Sequence, residues 1–407
     1  MKLRIPDRYF GLTAVCLSFL GAYGFFQFAY PYHLMRREQM NLFLYDWQYI
    51  EETYKGIGWL SRMAGDFVDQ FLFFPVIGPV LVALILTAIG TVVYRICRHG
   101  LGKWASLAIA AVVFGWSFLR ETENQFLTQY SLATLGYLSL ILAALQFRKK
   151  WLNAAAAVVF LSIGVLAIGN PYNKYYGKLI GKPIALYEKL IALDVEASRE
   201  HWDKLAEMSK TDYRVNEASY YYNLAEAMKG TLGSTMLNHS QNYANSLFLW
   251  VTDQVSQFSN GMAGEVWYHL GDMTLAEQSA IVALQASPKH TGARYMVRLA
   301  QITLITGEYG AAQKYLTMLS KTLNYRKWAL RMMPGNHDEK TSAWLDRARA
   351  NLPEKDLIYG RNEFRPVLKG LLEANPDNML VRQALCYAVD IDEIMAFATG
   401  GQGVKIG

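Results

Sequence analysis

"PVIGPVLVALILTAIGTVVY", residues Pro75–Tyr94, runs for twenty positions without a charged side chain. The hydrocarbon core of a bilayer takes about 20 helical residues. The stretch therefore predicts a membrane-spanning helix, and with it a chain whose first half is built for lipid. Four more apolar runs flank it: Tyr9–Tyr30, Trp104–Leu119, Phe126–Phe147 and Trp151–Gly169. The run Trp104–Leu119 is short, but Leu101 and Gly102 extend it while Lys103 and Arg120 reach from its ends toward water. Tyr9–Tyr30 is too long and too aromatic for a secretory leader and reads as a retained span. No Asp, Glu, Lys or Arg falls in the middle of a run, which argues against a proton or ion carrier.

Charge sorts along the same lines. Residues 1–169 carry 14 Lys and Arg against 9 Asp and Glu, whereas the other 238 residues carry 26 against 25. The basic excess thus belongs to the apolar half. Lys2, Arg4 and Arg8 precede the first run; Arg95, Arg98 and Lys103 separate the second and third; Arg148, Lys149 and Lys150 separate the fourth and fifth. The positive-inside rule then places the N-terminus in the cytoplasm of a bacterium and residues 170–407 in the periplasm. No nucleic-acid motif or long basic block is present, so nucleic acid is excluded as a partner. Cys16, Cys97 and Cys386 show neither disulfide nor zinc spacing.

From Pro183 onward the pattern changes to helices of ordinary length with alternating polar faces. "GDMTLAEQSAIVALQASP" (Gly271–Pro288) and "GEYGAAQKYLTMLSKT" (Gly307–Thr322) align at a period of 36, Gly271 on Gly307 and Ala276 on Ala312. This resembles the tetratricopeptide repeat, whose period is about 34. The resemblance implies that Gly264 and Ala300 are the small residues of first helices, Ala276 and Ala312 their partners on second helices, and Gly271 and Gly307 the turns between. It also implies a concave partner-binding groove at Glu265, Tyr268, Arg294 and Gln301. Leu319 and Asn324 depart from the repeat pattern, which has alanine and proline there. The whole chain resembles an uncharacterised family of bacterial polytopic envelope proteins with such a helical tail, which implies a location and no reaction.

Complete catalytic sets are missing. "GNHD" (Gly335–Asp338) and "GDFVD" (Gly65–Asp69) match isolated blocks of calcineurin-like phosphoesterases, but the remaining metal ligands of that class are not there. No cofactor motif and no metal set is recognisable. The strongest case for chemistry is the loop at 31–70. There Phe43, Trp47, Ile50 and Tyr54 make an apolar stripe at helical spacing, and Leu60, Met63 and Phe67 make another, with Arg62, Asp66 and Asp69 on the opposite face. Acidic residues just outside a first span are similar in position to those of polytopic glycosyltransferases that use lipid-linked sugars. That similarity implies Asp46, Glu51 or Glu52 as general base or metal ligand.

The expectation is an all-α chain with two parts. A polytopic membrane domain of about five spans occupies 1–169, and a tetratricopeptide-like α-solenoid occupies 170–407. The expected partners are the lipid bilayer and another envelope protein or peptide on the repeat groove.

Overall fold

The computed structural model describes residues 7–123, 127–146, 150–169, 184–210, 217–235, 246–249, 257–354 and 364–382. All regular structure among them is helical. The chain divides into two compact units. The first comprises Met1–Ile191 with two short later segments, Thr291–Ala293 and Lys321–Arg326; the second comprises Ala192–His290, Arg294–Ser320 and Lys327–Gly407.

The first unit opens with α1 (Asp7–Gly24), which passes through a π-helical turn, Phe25–Ala29, into α2 (Pro31–Gln39). Pro31 sits at the start of α2, where a missing N–H costs nothing because that group has no intrahelical acceptor. Two short helices follow, α3 (Trp47–Thr53) and α4 (Trp59–Asp69), then a 3-10 turn at Gln70–Phe73. Four longer helices complete the unit: α5 (Ile77–Arg98), α6 (Lys103–Glu121), α7 (Thr128–Ala144) and α8 (Lys150–Ala167). Helix α5 packs against α1, α6 and α7, while α7 also packs against α4 and α8. The core around α5 joins Ala22, Phe26, Leu34, Leu72, Val82 and Leu86. Phe118 closes it against Phe25 at 4.9 Å and Phe26 at 5.5 Å.

Among the described residues two helices are long and apolar enough to cross a membrane, Gly11–Ala29 and Ile77–Arg98, and Trp151–Ala167 is a shorter apolar helix. The side chains are distributed in an unusual way. Leu17, Phe28, Val112, Trp116, Val158 and Leu166 are exposed, whereas Thr87, Ser106, Ser117, Thr128 and Ser131 are buried.

The loop at 31–70 differs from expectation in its first stripe. Helix α3 is only seven residues long, because Asp46 caps it and Tyr54 ends it. Phe43 and Tyr54 therefore lie outside it and are buried, while Trp47 points outward at 78% exposure. In α4, Leu60 and Phe67 are exposed, and Ser61, Gly65, Asp66 and Asp69 face inward. Gly65 allows this, since a Cβ there would stand 2.7 Å from the backbone nitrogen of Gln129 on α7. The absence of a side chain brings α4 onto α7 closely enough for Asp69 to reach Thr128 on α7.

Helix α9 (Ile184–Ser198) begins in the first unit and ends in the second. The second unit continues with α10 (Trp202–Ser209), α11 (Ala218–Met228), α12 (Leu232–Thr235), α13 (Gln257–Leu270) and α14 (Met273–Gln285). It ends with α15 (Ala293–Thr306), α16 (Tyr309–Ser320), α17 (Arg326–Met332), α18 (Glu339–Ala350) and α19 (Phe364–Ala374). Helices α13 and α14 form a tight hairpin. Gly271 ends α13 at φ 90°, and the next amide, Asp272 N–H, returns to Trp267 O at 3.0 Å. Asp272 then caps α14 by accepting from Leu275 N–H at 3.0 Å. Cys16 and Cys97 are free thiols, and Cys386 lies outside the described residues.

Candidate functional site: two buried ionic clusters and an oxygen-lined pocket

Helix α2, "PYHLMRREQ", buries His33, Arg36, Arg37, Glu38 and Gln39. Arg36 and Arg37 lie in its last turn, where the helix dipole favours cations. The Arg37 guanidinium donates through Nη1 to Glu121 Oε2 at 2.6 Å and to Thr128 Oγ1 at 3.2 Å. Its Nη2 donates to the Glu121 carbonyl at 2.9 Å. Ser131 donates to the other carboxylate oxygen of Glu121 at 2.5 Å. Thr128, already an acceptor from Arg37, donates to Asp69, whose second oxygen accepts from Asn41 Nδ2 at 2.5 Å. Four helices, α2, α4, α6 and α7, and the loop at Asn41 are thereby joined by one continuous polar network in the interior.

His33 lies 3.4 Å from Arg37 Nη2. Burial, and then the positive charges of Arg37 and Arg36, hold its imidazole well below the usual histidine range. It is neutral at physiological pH. At the other end of α2, the Glu188 carboxylate accepts from the N–H groups of Tyr32 at 2.6 Å and His33 at 3.0 Å. Burial raises this carboxyl to about 7 even though both amide bonds favour its ionised form.

The three acids expected as candidates stand elsewhere. Asp46 accepts from Tyr49 N–H at 3.1 Å as the cap of α3 and pairs with Lys321 Nζ. The Lys321 hydrogen bond and then that amide hold it below the usual carboxylate range. Glu51 and Glu52 are exposed. The acids that the first unit draws into its interior, among the described residues, are Glu38, Asp66, Asp69, Glu121 and Glu188. Their sequence signal was an Asp66–Asp69 spacing on one face of α4; the polar α2 gave no stripe to read.

Beside this network is a small pocket lined by Glu38, Asn41, Asp66, Gln70, Asn324 and Tyr325, among others. Tyr54 donates to Asp66 Oδ2 at 2.9 Å, and burial and then the Asp66 charge raise its phenol far above the ordinary tyrosine range. Tyr325 donates to Glu38 Oε2 at 3.1 Å.

In the second unit the residues expected to line an open groove are mostly interior. Glu265, Tyr268 and Arg294 are buried, and Gln301 is half-buried. Arg294 pairs with Asp194 and, at 2.9 Å, with Glu265; Arg298 reaches the second oxygen of Glu265 at 2.7 Å. The Arg298 guanidinium also stacks 3.7 Å from the centre of the Tyr268 ring. Burial alone would raise Glu265, yet Arg298 and Arg294 hold it down to about 2. These charges are neutralised inside the unit by α9, α13 and α15, so an open groove at these positions is corrected to an internal ion cluster.

The small residues fall at close approaches and turns. A Cβ on Gly264 would stand 2.6 Å from Ser279 Oγ of α14. Ala276, Ala300 and Ala312 are buried, and Gly307, like Gly271, has positive φ. The "GNHD" block is a turn and cap: Asp338 accepts from Thr341 N–H at 2.8 Å and the His337 ring meets the Met332 carbonyl at 3.0 Å. Among the described residues no three or more His, Cys, Asp or Glu side chains gather as a metal set.

The model of a family described as "Family of unknown function (DUF6057)" matches residues 8–180 and 172–402. The chain belongs to this family. No curated protein and no solved structure matches it. For this DUF6057 member, function has to be argued from the units themselves.

Proposed function

We propose that the chain is a polytopic inner-membrane protein of the bacterial envelope that displays its helical second unit in the periplasm to hold another envelope protein. The observation that carries the membrane part is the apolar exterior of the first unit. Leu17, Phe28, Val112, Trp116, Val158 and Leu166 face outward there, around an interior that takes in Ser, Thr and charged groups beside its apolar core. In water, exposed apolar patches of that extent are a liability; in lipid they are solvated, and the buried hydroxyls link helices. Helices α6, α7 and α8 then join Gly11–Ala29 and Ile77–Arg98 as spans.

The interaction part rests on the helical hairpins of the second unit and on a site chemistry that is internally consumed. Every acid of the first loop that leaves the surface is bound to protein groups, as expected of a scaffold. Contact with a partner then falls on exposed positions such as Ile281 and Tyr309, not on the buried Glu265 and Arg294. A photo-crosslinking residue placed at either position should capture a second envelope protein in cells. Recovery of uncrosslinked chain alone from both positions would overturn the scaffold reading.

A further inference from the structure

Three amide side chains, Asn41, Gln70 and Asn324, line the first-unit pocket, and each has its NH2 end engaged and its carbonyl end free. Asn41 uses its NH2 group on the Asp69 carboxylate at 2.5 Å. Asn324 uses its own on Glu38 Oε1 at 3.0 Å and the Gln70 carbonyl at 2.9 Å. Gln70 donates to the Phe67 carbonyl at 3.3 Å. Each of these partners accepts only, so rotating any amide would set oxygen against oxygen. The amide orientations are therefore fixed by chemistry. The carbonyl oxygens of all three, Asn41 Oδ1, Gln70 Oε1 and Asn324 Oδ1, are buried and have no hydrogen-bond partner. Asn41 is 6% exposed and Gln70 is 7% exposed.

A buried acceptor left unpaired costs about 1–3 kcal/mol. Three at one pocket are too many for one water, which donates two hydrogen bonds. The pocket is roomy enough for about one water-sized guest, which excludes an organic ligand. Two carboxylates, Glu38 and Asp66, line the same space. Charge points the same way. Among the described residues the first unit buries Arg36, Arg37 and Arg120 against Glu38, Asp66, Asp69, Glu121 and Glu188, and Arg120 is already paired with Glu123 at 2.6 Å.

We infer that this pocket is a site for a hard divalent cation of the calcium or magnesium class, with Glu38, Asn41, Asp66, Gln70 and Asn324 as its oxygen donors. Two carboxylates match the double charge, and neutral carbonyls fill out the oxygen set such cations require, with water completing the shell. No sulfur or imidazole lines the pocket, so zinc and copper are disfavoured. Tyr325 and Tyr54 each donate to one of the two carboxylates, as outer groups orient metal ligands elsewhere. The ion would fasten the Lys321–Arg326 segment to α2 and α4 within the first unit. Neither anchoring nor partner docking requires it, so this inference goes beyond the proposed function.

The test uses the full chain in detergent, stripped with EDTA and then given calcium, magnesium or zinc chloride separately. Metal analysis should find about one calcium or magnesium ion per chain, and the melting temperature should rise with the added ion. Gln70→Met keeps the side-chain length and deletes one orphan oxygen. It should weaken binding tenfold or more while the metal-free melting temperature is unchanged or higher. No retained ion and no shift at millimolar calcium or magnesium would overturn the inference in favour of an ordered water. Unchanged affinity in Gln70→Met, or preference for zinc, would overturn it as well.

Discussion

Arg37 and Glu121 are almost fully removed from solvent, and a buried ion pair is worth most as an interdependence. Removing one partner leaves a bare charge in the interior and costs about 3–5 kcal/mol, whereas replacing both with apolar groups of similar volume costs little. Glu121→Gln should therefore be strongly destabilising, and Arg37→Met combined with Glu121→Leu should recover much of the loss, as read from denaturation in detergent. Glu188 makes a separate prediction. Its folded-state value of about 7 lies above the ordinary glutamate value of 4.5, so the folded protein binds the proton more tightly. Its contribution is fully present at low pH and is lost as pH rises from about 4.5 through about 7. Glu188→Gln mimics the protonated form. The variant should match the wild type near pH 4.5 and exceed it at pH 8 by a margin on the order of 3 kcal/mol. A difference that does not change with pH would contradict that account.

At the scale of elements, two glycines set close crossings. Gly65→Ala puts a methyl group against the Gln129 backbone and should push α4 off α7, separating Asp69 from Thr128. A thermal midpoint lowered by several degrees would register this, whereas Gly11→Ala, where nothing lies nearby, should be silent. Gly271→Ala combines positive φ with overlap of the Asn351 carbonyl, so it should loosen the α13–α14 hairpin more than Gly307→Ala does, as read by amide exchange. Much of this architecture was legible in the residues. The apolar runs marked α1, α5, α6, α7 and α8, and the Gly271 and Gly307 spacing marked the turns. The orientation of α4 was not legible, because an amphipathic helix has the same pattern whether its apolar stripe meets protein or lipid. Burial of α2 was also hidden. Its charges look like those of a solvated loop until Glu121 and Glu188, 84 and 155 residues away, arrive as partners. The groove assignment failed for the same reason: Arg294 finds Asp194 across 100 residues, and nothing local announces that pairing.

At the scale of the whole chain, the proposed topology has a direct check. Alkaline phosphatase fused after Gly169 should be active in a bacterial host, and an inactive fusion would reverse the orientation. The apolar exterior of the first unit further predicts that residues 1–191 aggregate when detergent is withdrawn.

The Lys321–Arg326 segment has a consequence for how the protein comes to exist. Tyr45 N–H bonds to the Lys321 carbonyl at 2.7 Å, and Asn324 and Tyr325 supply donors to Glu38. A ribosome has finished every apolar helix of the first unit long before it reaches residue 326. Until then Glu38 lacks those donors and the Gln70 carbonyl lacks Asn324. The first unit is thus assembled out of order, and its last piece is delivered only after nearly four-fifths of the chain has been made.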